Sequence, residues 1–525
     1  MKKIYQNKER FLLIPIAVKQ TECLLSVTIN SKKCFEYMIP QGESTGIYNF
    51  QYYAAIPVES ESEVILEGEF SKPFWDAIAF SDTVPKNESE HPVVHFAPNT
   101  GWMNDPNGFF YQDGVYHLYF QHNPMNKIWG NMSWGHATSM DLLHWEQQED
   151  VMFPDERGTM FSGCAVLNDK KMLNLPEHCP LFFYTCAGGT SNWSEGRPYT
   201  QQLAWSPDKG KTLIKMNSPV VNQICDGNRD PKIYWHEESK GYYMILYLDK
   251  NEFAILRSDN LMNWRLTQQF SLDGAWECPD LRSISTKDGE SAWVFWCADG
   301  YYWIGDFDGY LFTPISERKE AYLTALPYAA QTCVGEERVI SIPWMRTENA
   351  VKPYTGIMGL PRELGLVREQ EELLLQLKPV KELLEHRKEI LWQSEGPLTT
   401  EINFDYAIEV EINVENEQGF QMQLGKTEVS WNKKDNELLI SNCVFQHSRS
   451  EWRNVGGEVE EGKIKKINLH REPAKIDLLI DKEILEITMD NGLECVAVEL
   501  EQTNNTNMET VTVVGGKEIK LYEVK

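Results

Sequence analysis

The sequence is short of several things that would point elsewhere. It has no Cys-x-x-Cys pair, and its cysteines number 11, an odd count. This argues against a disulfide framework and against a zinc knuckle. Reduced thiols in a cytoplasmic protein are the expectation, with the Asn-x-Ser/Thr sequons at Asn87, Asn131, Asn192 and Asn504 as chance matches. No apolar run approaches the roughly 20 residues of a membrane-spanning helix. The apolar run Phe11 to Val18 is followed by Lys19-Gln20-Thr21-Glu22 rather than by a small-residue cleavage site, so it reads as a first β-strand and not as a signal peptide. Basic residues are outnumbered, 50 Lys and Arg against 78 Asp and Glu, for a net charge of -28. Phosphate binding needs clustered Lys and Arg, so nucleic acid and anionic membrane are excluded as partners. The 11 histidines show no ligand-grade cluster, so no metal or other cofactor is expected, and His117 and His122 read as strand packing.

What is abundant is the aromatic class, 12% of 525 residues. Such side chains fill cores or make flat platforms for sugar rings, and a neutral small-molecule sugar is compatible with the acidic charge. The length suits two to four domains. Short runs rich in Val, Ile, Tyr, Phe and Trp, bounded by Gly, Asn, Asp and Pro, predict strands almost throughout. Residues 1–88 form one β group, and Pro85 to Glu90 reads as a linker.

Residues 91–365 carry a repeat. Ser139-Met-Asp-Leu-Leu-His-Trp145 matches Ser258-Asp-Asn-Leu-Met-Asn-Trp264, 119 residues on, and Ser206 to Thr212 is a degenerate copy between them. A period of about 60 residues gives four to five units, and repeated four-stranded units close into a β-propeller. The Asp or Asn of each copy reads as a turn cap and the Trp as inter-sheet packing. Residues 366–391 are Leu- and Glu-rich and read as a spacer, with a short helix from Pro379 to His386. From 392 to 525 strict alternation returns, as in Ile402 to Ile412. With a hairpin turn at Asp490-Asn491-Gly492, it predicts a second all-β domain, a sandwich.

Three short motifs carry an acid in Asp-Pro or Glu-x-Pro. Asn104-Asp-Pro-Asn-Gly108 alone reads as a turn, with proline pushing Asp105 into an extended conformation that would aim its carboxylate rigidly. Trp276-Glu-Cys-Pro279 puts Glu277 between an indole and a thiol, which hydrate a charge poorly and would raise its pKa toward that of a general acid. In Arg229-Asp-Pro231 the neighbouring Arg favours an ionised Asp230. Each alone is a plausible turn. Placed in successive propeller units, whose inner strands converge on one channel, they give the carboxylate pair that glycoside hydrolysis uses.

With these residues on view the chain resembles glycoside hydrolase family 32, the β-fructofuranosidases, which include invertases, levanases and inulinases. The matching stretches are His95-Phe-Ala-Pro98, Trp102-Met-Asn-Asp-Pro-Asn-Gly108, Tyr119 to Pro124, Trp134 to Ser139, Phe161-Ser-Gly163, Arg229-Asp-Pro231, Glu277-Cys-Pro279, Tyr328 to Thr332 and Leu360 to Leu364. The N-terminal region is similar to a small extra β-domain ahead of some levanase-like members. The resemblance implies an all-β chain: a five-bladed β-propeller, a C-terminal β-sandwich, and a small N-terminal β-domain before them. It implies release of terminal β-D-fructosyl units from sucrose, fructo-oligosaccharide, levan or inulin with retention. For this the two carboxyls are expected about 5–5.5 Å apart. Asp105 is then the nucleophile, Glu277 the acid/base and Asp230 the transition-state stabiliser. Asn104, Gln121, Trp129, Phe161, Ser162 and Arg229 match positions lining the fructose pocket, with Cys278 beside the acid. Two departures stand out. Residue 164 is Cys where Phe-Ser-Gly-Ser is usual, and Leu323-Thr-Ala-Leu-Pro327 replaces an Asp- and Gly-containing stretch expected to border the pocket. A non-catalytic fructan-binding protein and a propeller enzyme acting on arabinose or xylose units remain as alternatives. Homo-oligomer formation, the linkage cleaved and the role of the N-terminal domain are left open.

Overall fold

A computed structural model describes residues 1–18, 21–40, 49–85, 91–348, 351–441, 443–444, 465–501 and 508–525. The linker at 86–90 and the sequons at Asn87 and Asn504 lie outside the described residues. Five sheets between Gly101 and Pro379 each set their main strands antiparallel and in chain order from a first strand at the channel; in the first sheet Tyr354–Thr355 is added parallel to that strand. The first strands are Gly101–Gln112, Thr159–Leu167, Arg229–His236, Asp280–Ser285 and Pro327–Thr332. The first three pack on one another in order, Asp280 at the start of the fourth accepts from Tyr234 of the third and Thr332 of the fifth, and a bridge between Phe110 and Val334 joins the fifth blade to the first. This is a five-bladed propeller.

The repeat marks the turn between third and fourth strands of a blade. In the first blade the Asp141 carboxylate accepts from the backbone N–H of Leu143 (3.1 Å) and His144 (2.9 Å), and the Trp145 indole donates to the Leu142 carbonyl. Asn260 makes the same pair with Met262 and Asn263 in the third blade, and Trp264 reaches Phe183 of the second blade, ring centroids 6.2 Å apart. Asp308 caps the equivalent turn of the fourth blade by accepting from Tyr310 and Leu311. That copy lacks the Trp and so escaped the repeat.

Three expectations change. Residues 366–379 are not a spacer: Arg362–Glu369 and Glu372–Pro379 pair as the outer hairpin of the fifth blade. Leu364, Leu366, Leu375 and Leu377 turn one face of it into the core, a period-2 pattern that the Leu- and Glu-rich composition disguised. Only Lys381–Glu385 is helical, and Arg387–Gln393 already belongs to the C-terminal domain. Phe11–Ile16 is the second strand and not the first, because the charged Lys2–Asn7 pairs with Ser62–Gly68. The run from Ile402 to Ile412 is two strands, Leu398–Asn403 and Ala407–Asn413, in different sheets.

The N-terminal domain packs a four-stranded on a three-stranded sheet around one apolar cluster. The C-terminal domain is a sandwich of a seven- and a six-stranded sheet, with positive φ at Asp490, Asn491 and Gly492 making the expected hairpin turn. Sandwich and propeller meet at a buried ionic cluster. His95 bonds Asp481 through Nδ1 (2.8 Å) and Glu486 through Nε2 (3.1 Å), while Arg362 pairs with Glu486. The backbone N–H groups of Val93, Val94, His95 and Leu360 also donate to these two carboxylates.

Candidate active site

The innermost strands share one irregularity. In four of the five blades the ladder skips, leaving two residues opposite one: Asn104 and Asp105, Phe161 and Ser162, Asp230 and Pro231, Ala329 and Ala330. In the fourth blade Glu277 and Cys278 precede the first strand, and the Ala298 N–H is shared between the carbonyls of Trp276 and Glu277. A bulge bends the strand and re-aims a side chain. Here it turns side chains of several blades toward one end of the channel. Asp230, Glu277, Cys278 and Ala329 all have positive φ, between 42° and 60°. Non-glycine residues pay conformational energy there, and such strain gathers at functional sites.

Asn104 to Gly108 is therefore no turn. It lies inside the twelve-residue strand Gly101–Gln112, and the hairpin turn falls later, at Asp113-Gly114. The motif departs from the expected Asn-Gly turn because proline and glycine serve two successive bulges instead. Asn107 ties the blades together by accepting from the Gly163 N–H (3.1 Å). A Cβ at residue 163 would lie 2.0 Å from the Phe183 carbonyl, so only glycine fits.

These bulges surround a cavity of about 430 Å³. Asn104, Asp105, Gln121, Trp129, Phe161, Ser162, Arg229, Asp230 and Glu277 all line it; Cys278 lies beneath, in its floor. The Ser162 hydroxyl donates to Asp105 Oδ2 (2.7 Å). Cys278 Sγ sits between two acids, 3.4 Å from Asp105 Oδ2 and 3.5 Å from Asp230 Oδ2, and its backbone N–H donates to Asp230 Oδ2 (3.1 Å). Burial among carboxylates keeps the thiol protonated, so it acts as a donor that holds the two aspartates in place.

The electrostatics differ from the sequence expectation in two ways. Arg229 does not chiefly serve its neighbour. Its Nε donates to Glu277 Oε1 at 3.1 Å and Nη2 pairs with the same oxygen, while Asp230 Oδ2 is 3.9 Å away. Burial, with Glu277 and Asp105 nearby, raises Asp230 to about 7 despite Arg229. Glu277 in turn is not caged by apolar neighbours. Its second oxygen accepts from the Tyr328 hydroxyl at 2.7 Å, so the acid is held from two sides by hydrogen bonds. Asp105 is raised by burial, against the lowering effect of the Ser162 bond, and the Glu277 charge raises it further.

Tyr328, Trp102, Trp344 and Ile128 complete the wall, and none was assigned a site role from sequence. Trp102 stands within the first motif and donates to Asn104 Oδ1 (2.8 Å), a signal that was legible. Trp344, on the second strand of the fifth blade, stands in no motif and reaches the wall only through blade closure. Leu323 to Pro327 do not border the cavity. The Leu323 N–H donates to the Cys495 carbonyl and the Thr324 hydroxyl to that of Ala497, fixing the segment to the sandwich. Cys164 is fully buried in an apolar cluster.

Below the cavity the channel is shut. The Gln331 amide donates to the carbonyls of Pro106 (3.1 Å) and Gly163 (3.0 Å), and the buried Lys232 ammonium to that of Thr332 (2.7 Å). One grouping corrects the reading of the histidines. Asp141, His144 and His386 bring three ligand-type atoms within 4.8 Å of one another, a juxtaposition made by the chain's return and invisible in sequence. The His144–Asp141 contact of 2.7 Å is an ordinary hydrogen bond, shorter than the separation of two zinc ligands would be.

Three carboxylates from three blades, one arginine and an aromatic rim at a blind cavity define a glycoside hydrolase site. The matching family model is the glycosyl hydrolases family 32 N-terminal domain, over residues 95–377. The chain belongs to glycosyl hydrolase family 32 and is a glycoside hydrolase. It is 29% identical over 491 residues to a levanase of Bacillus subtilis, covering 84% of this chain and 71% of that one. A fructan beta-fructosidase of Streptococcus mutans is 28% identical over 510 residues, covering 85% of this chain and 34% of that protein. The fold also matches that of a glycoside hydrolase family 32 structure from Bifidobacterium adolescentis, with a TM-score of 0.66 at 17% identity. That match covers 100% of this chain and 99% of the other.

Proposed function

We propose that this protein removes terminal β-D-fructosyl units from sucrose, fructo-oligosaccharides or fructans by double displacement. The observation that carries the reading is the convergence of Asp105, Asp230 and Glu277 on one blind cavity with a single arginine among them. A site with more negative than positive groups suits a transition state in which the sugar becomes cationic. Asp105 attacks the anomeric C2, positioned by Ser162 and Cys278. Glu277, held by Arg229 and Tyr328, protonates the leaving oxygen and then deprotonates the water that frees fructose. Asp230 accepts from fructose hydroxyls. Gln121 is 2% exposed and its side-chain NH2 has no partner among the described residues, so it is a ready donor for another hydroxyl. A floored cavity receives a chain end rather than a chain middle, which supports exo action. The ten cysteines with described side chains are all free thiols, which fits a reducing, cytoplasmic setting.

The test is fructose release from sucrose, inulin, levan and arabinan, with Asp105→Asn as control. Fructose from the first three, abolished in the variant, is the expected result. Release from arabinan alone, or full activity in Asp105→Asn, refutes the reading.

A further inference from the structure

The segment 124–131 joins the second and third strands of the first blade, and its tip carries Ile128 and Trp129 into the cavity wall. Both remain exposed, at 54% and 46%, and Trp129 sets its edge against Phe161 with ring centroids 5.9 Å apart. They are the exposed apolar part of the lining, which puts Trp129 at the mouth, against the portion of a substrate beyond the first sugar, and not inside the fructose pocket that the resemblance implied. A platform of this kind is effective only if its backbone is already fixed, because ordering it on binding subtracts from affinity.

The base of the segment is held by a different domain. Met125 is fully buried as a member of the N-terminal domain's own apolar cluster. The Asn126 side chain donates to Glu22 Oε1 at 2.6 Å. The Asn131 amide pairs with Met38 as another strand would: Met38 N–H donates to its Oδ1 (2.9 Å) and its Nδ2 donates to the Met38 carbonyl (2.8 Å). Lys32–Pro40, which contains Met38, is the edge strand of the four-stranded sheet, so Asn131 occupies a free hydrogen-bonding edge. The same edge reaches the second blade. Glu36 accepts from the Trp193 N–H (2.8 Å), Lys33 lies over the Trp193 ring, and Phe35 packs on Phe153.

The segment also has support of its own. The Asn123 side chain donates to the Ile128 carbonyl (2.9 Å) and accepts from the Met125 N–H (3.0 Å). The turn is thus formed locally, while its placement over the cavity is set by Met125, Asn126 and Asn131 on the N-terminal domain's side and by the Lys127 ammonium, which donates to the Lys352 carbonyl, on the other.

We propose that the N-terminal domain is a positioning unit of the substrate rim. By gripping segment 124–131 through Glu22, Met38 and its core, it presents Ile128 and Trp129 to the leaving portion of the substrate. This rests on the fructosidase reading, since it assigns that portion to the rim. The domain thereby sets preference among leaving groups and leaves the chemistry at Asp105 and Glu277 untouched.

The test uses the full chain with Glu22→Ala, which removes the bond to Asn126. Met38→Pro is a second variant that removes an outward-facing donor on an edge strand, where proline is tolerated. Two quantities are measured: amide hydrogen exchange over residues 123–133, and kcat/KM for a fructosyl trisaccharide and for methyl β-D-fructofuranoside. The expected result is faster exchange in that segment, a roughly five- to twentyfold fall for the trisaccharide and a change within about twofold for the methyl fructoside. Unchanged exchange overturns the proposal. So does faster exchange with both substrates affected alike or neither affected. Absence of fructose release by the unaltered protein is a separate result, which defeats the functional reading itself.

Discussion

Two buried ionic clusters, one at the cavity and one at the seam between propeller and sandwich, use similar residues to opposite ends. At the seam two carboxylates, Asp481 and Glu486, face His95 and Arg362, and four backbone N–H groups complete them. At the cavity three carboxylates face Arg229 alone. The seam balances its charge, and its partners shift as stable pairs do: His95 rises to about 9 and Glu486 falls to about 2. The cavity leaves negative charge in excess, and burial, with Glu277 and Asp105 beside it, pushes Asp230 up to about 7. An excess that the protein does not neutralise is available to a substrate that turns cationic as it reacts.

The comparison is most strongly tested by removing one charged group from each. Asp105→Asn should lower kcat by roughly 10⁴-fold, in the range for loss of a nucleophile, with no loss of melting temperature, since it removes a buried charge that burial and Glu277 both disfavour. Arg362→Met should do the reverse: it takes one of the two cations from the buried Glu486, leaving His95 alone, and should cost about 3 kcal/mol in denaturant unfolding, while kcat below the melting transition stays within a few-fold. Asp230→Asn sharpens the contrast. It relieves repulsion among the three acids, so stability at pH 8 should rise by on the order of 1 kcal/mol while activity collapses.

The smallest effect is in the pH dependence of the seam. The folded pKa of Glu486 is depressed, so its stabilisation is present above the unfolded value of about 4.3 and lost as pH falls toward 2. That of His95 is raised, so its stabilisation is complete below about 6.5 and lost as pH rises through 9. Calorimetry should find a plateau in melting temperature between about pH 5 and 6.5, falling on both sides. In Arg362→Met the acid shoulder should move to higher pH.

The two clusters were not equally legible. The acids of the cavity stood out because each lies one or two positions before a proline in a short motif, and the repeat placed those motifs in one propeller, although the structure puts them in the first, third and fourth blades and not in successive ones. The seam left no such trace: His95 and Asp481 are 386 positions apart, and only folding pairs them. Within the site itself, sequence adjacency misled. Arg229 precedes Asp230 but pairs with Glu277 from the next blade, because neighbours along a strand point to opposite faces and blade packing brings Glu277 to the guanidinium. Asn107-Gly108 read as a hairpin because turns and bulges draw on the same residues. The outer hairpin of the fifth blade read as a spacer because Leu and Glu serve helices as readily as strands, and its period-2 burial shows only against a core. The grip of the N-terminal domain on segment 124–131 depends on side-chain bonds to an edge strand, which no local pattern announces.

The account stands on Asp105 acting as a nucleophile within a site arranged for double displacement. Hydrolysis of sucrose in water containing methanol tests this directly, with the first-formed product read by NMR. Double displacement predicts methyl β-D-fructofuranoside, the anomer of the substrate; methyl α-D-fructofuranoside would mean a single displacement and contradict it.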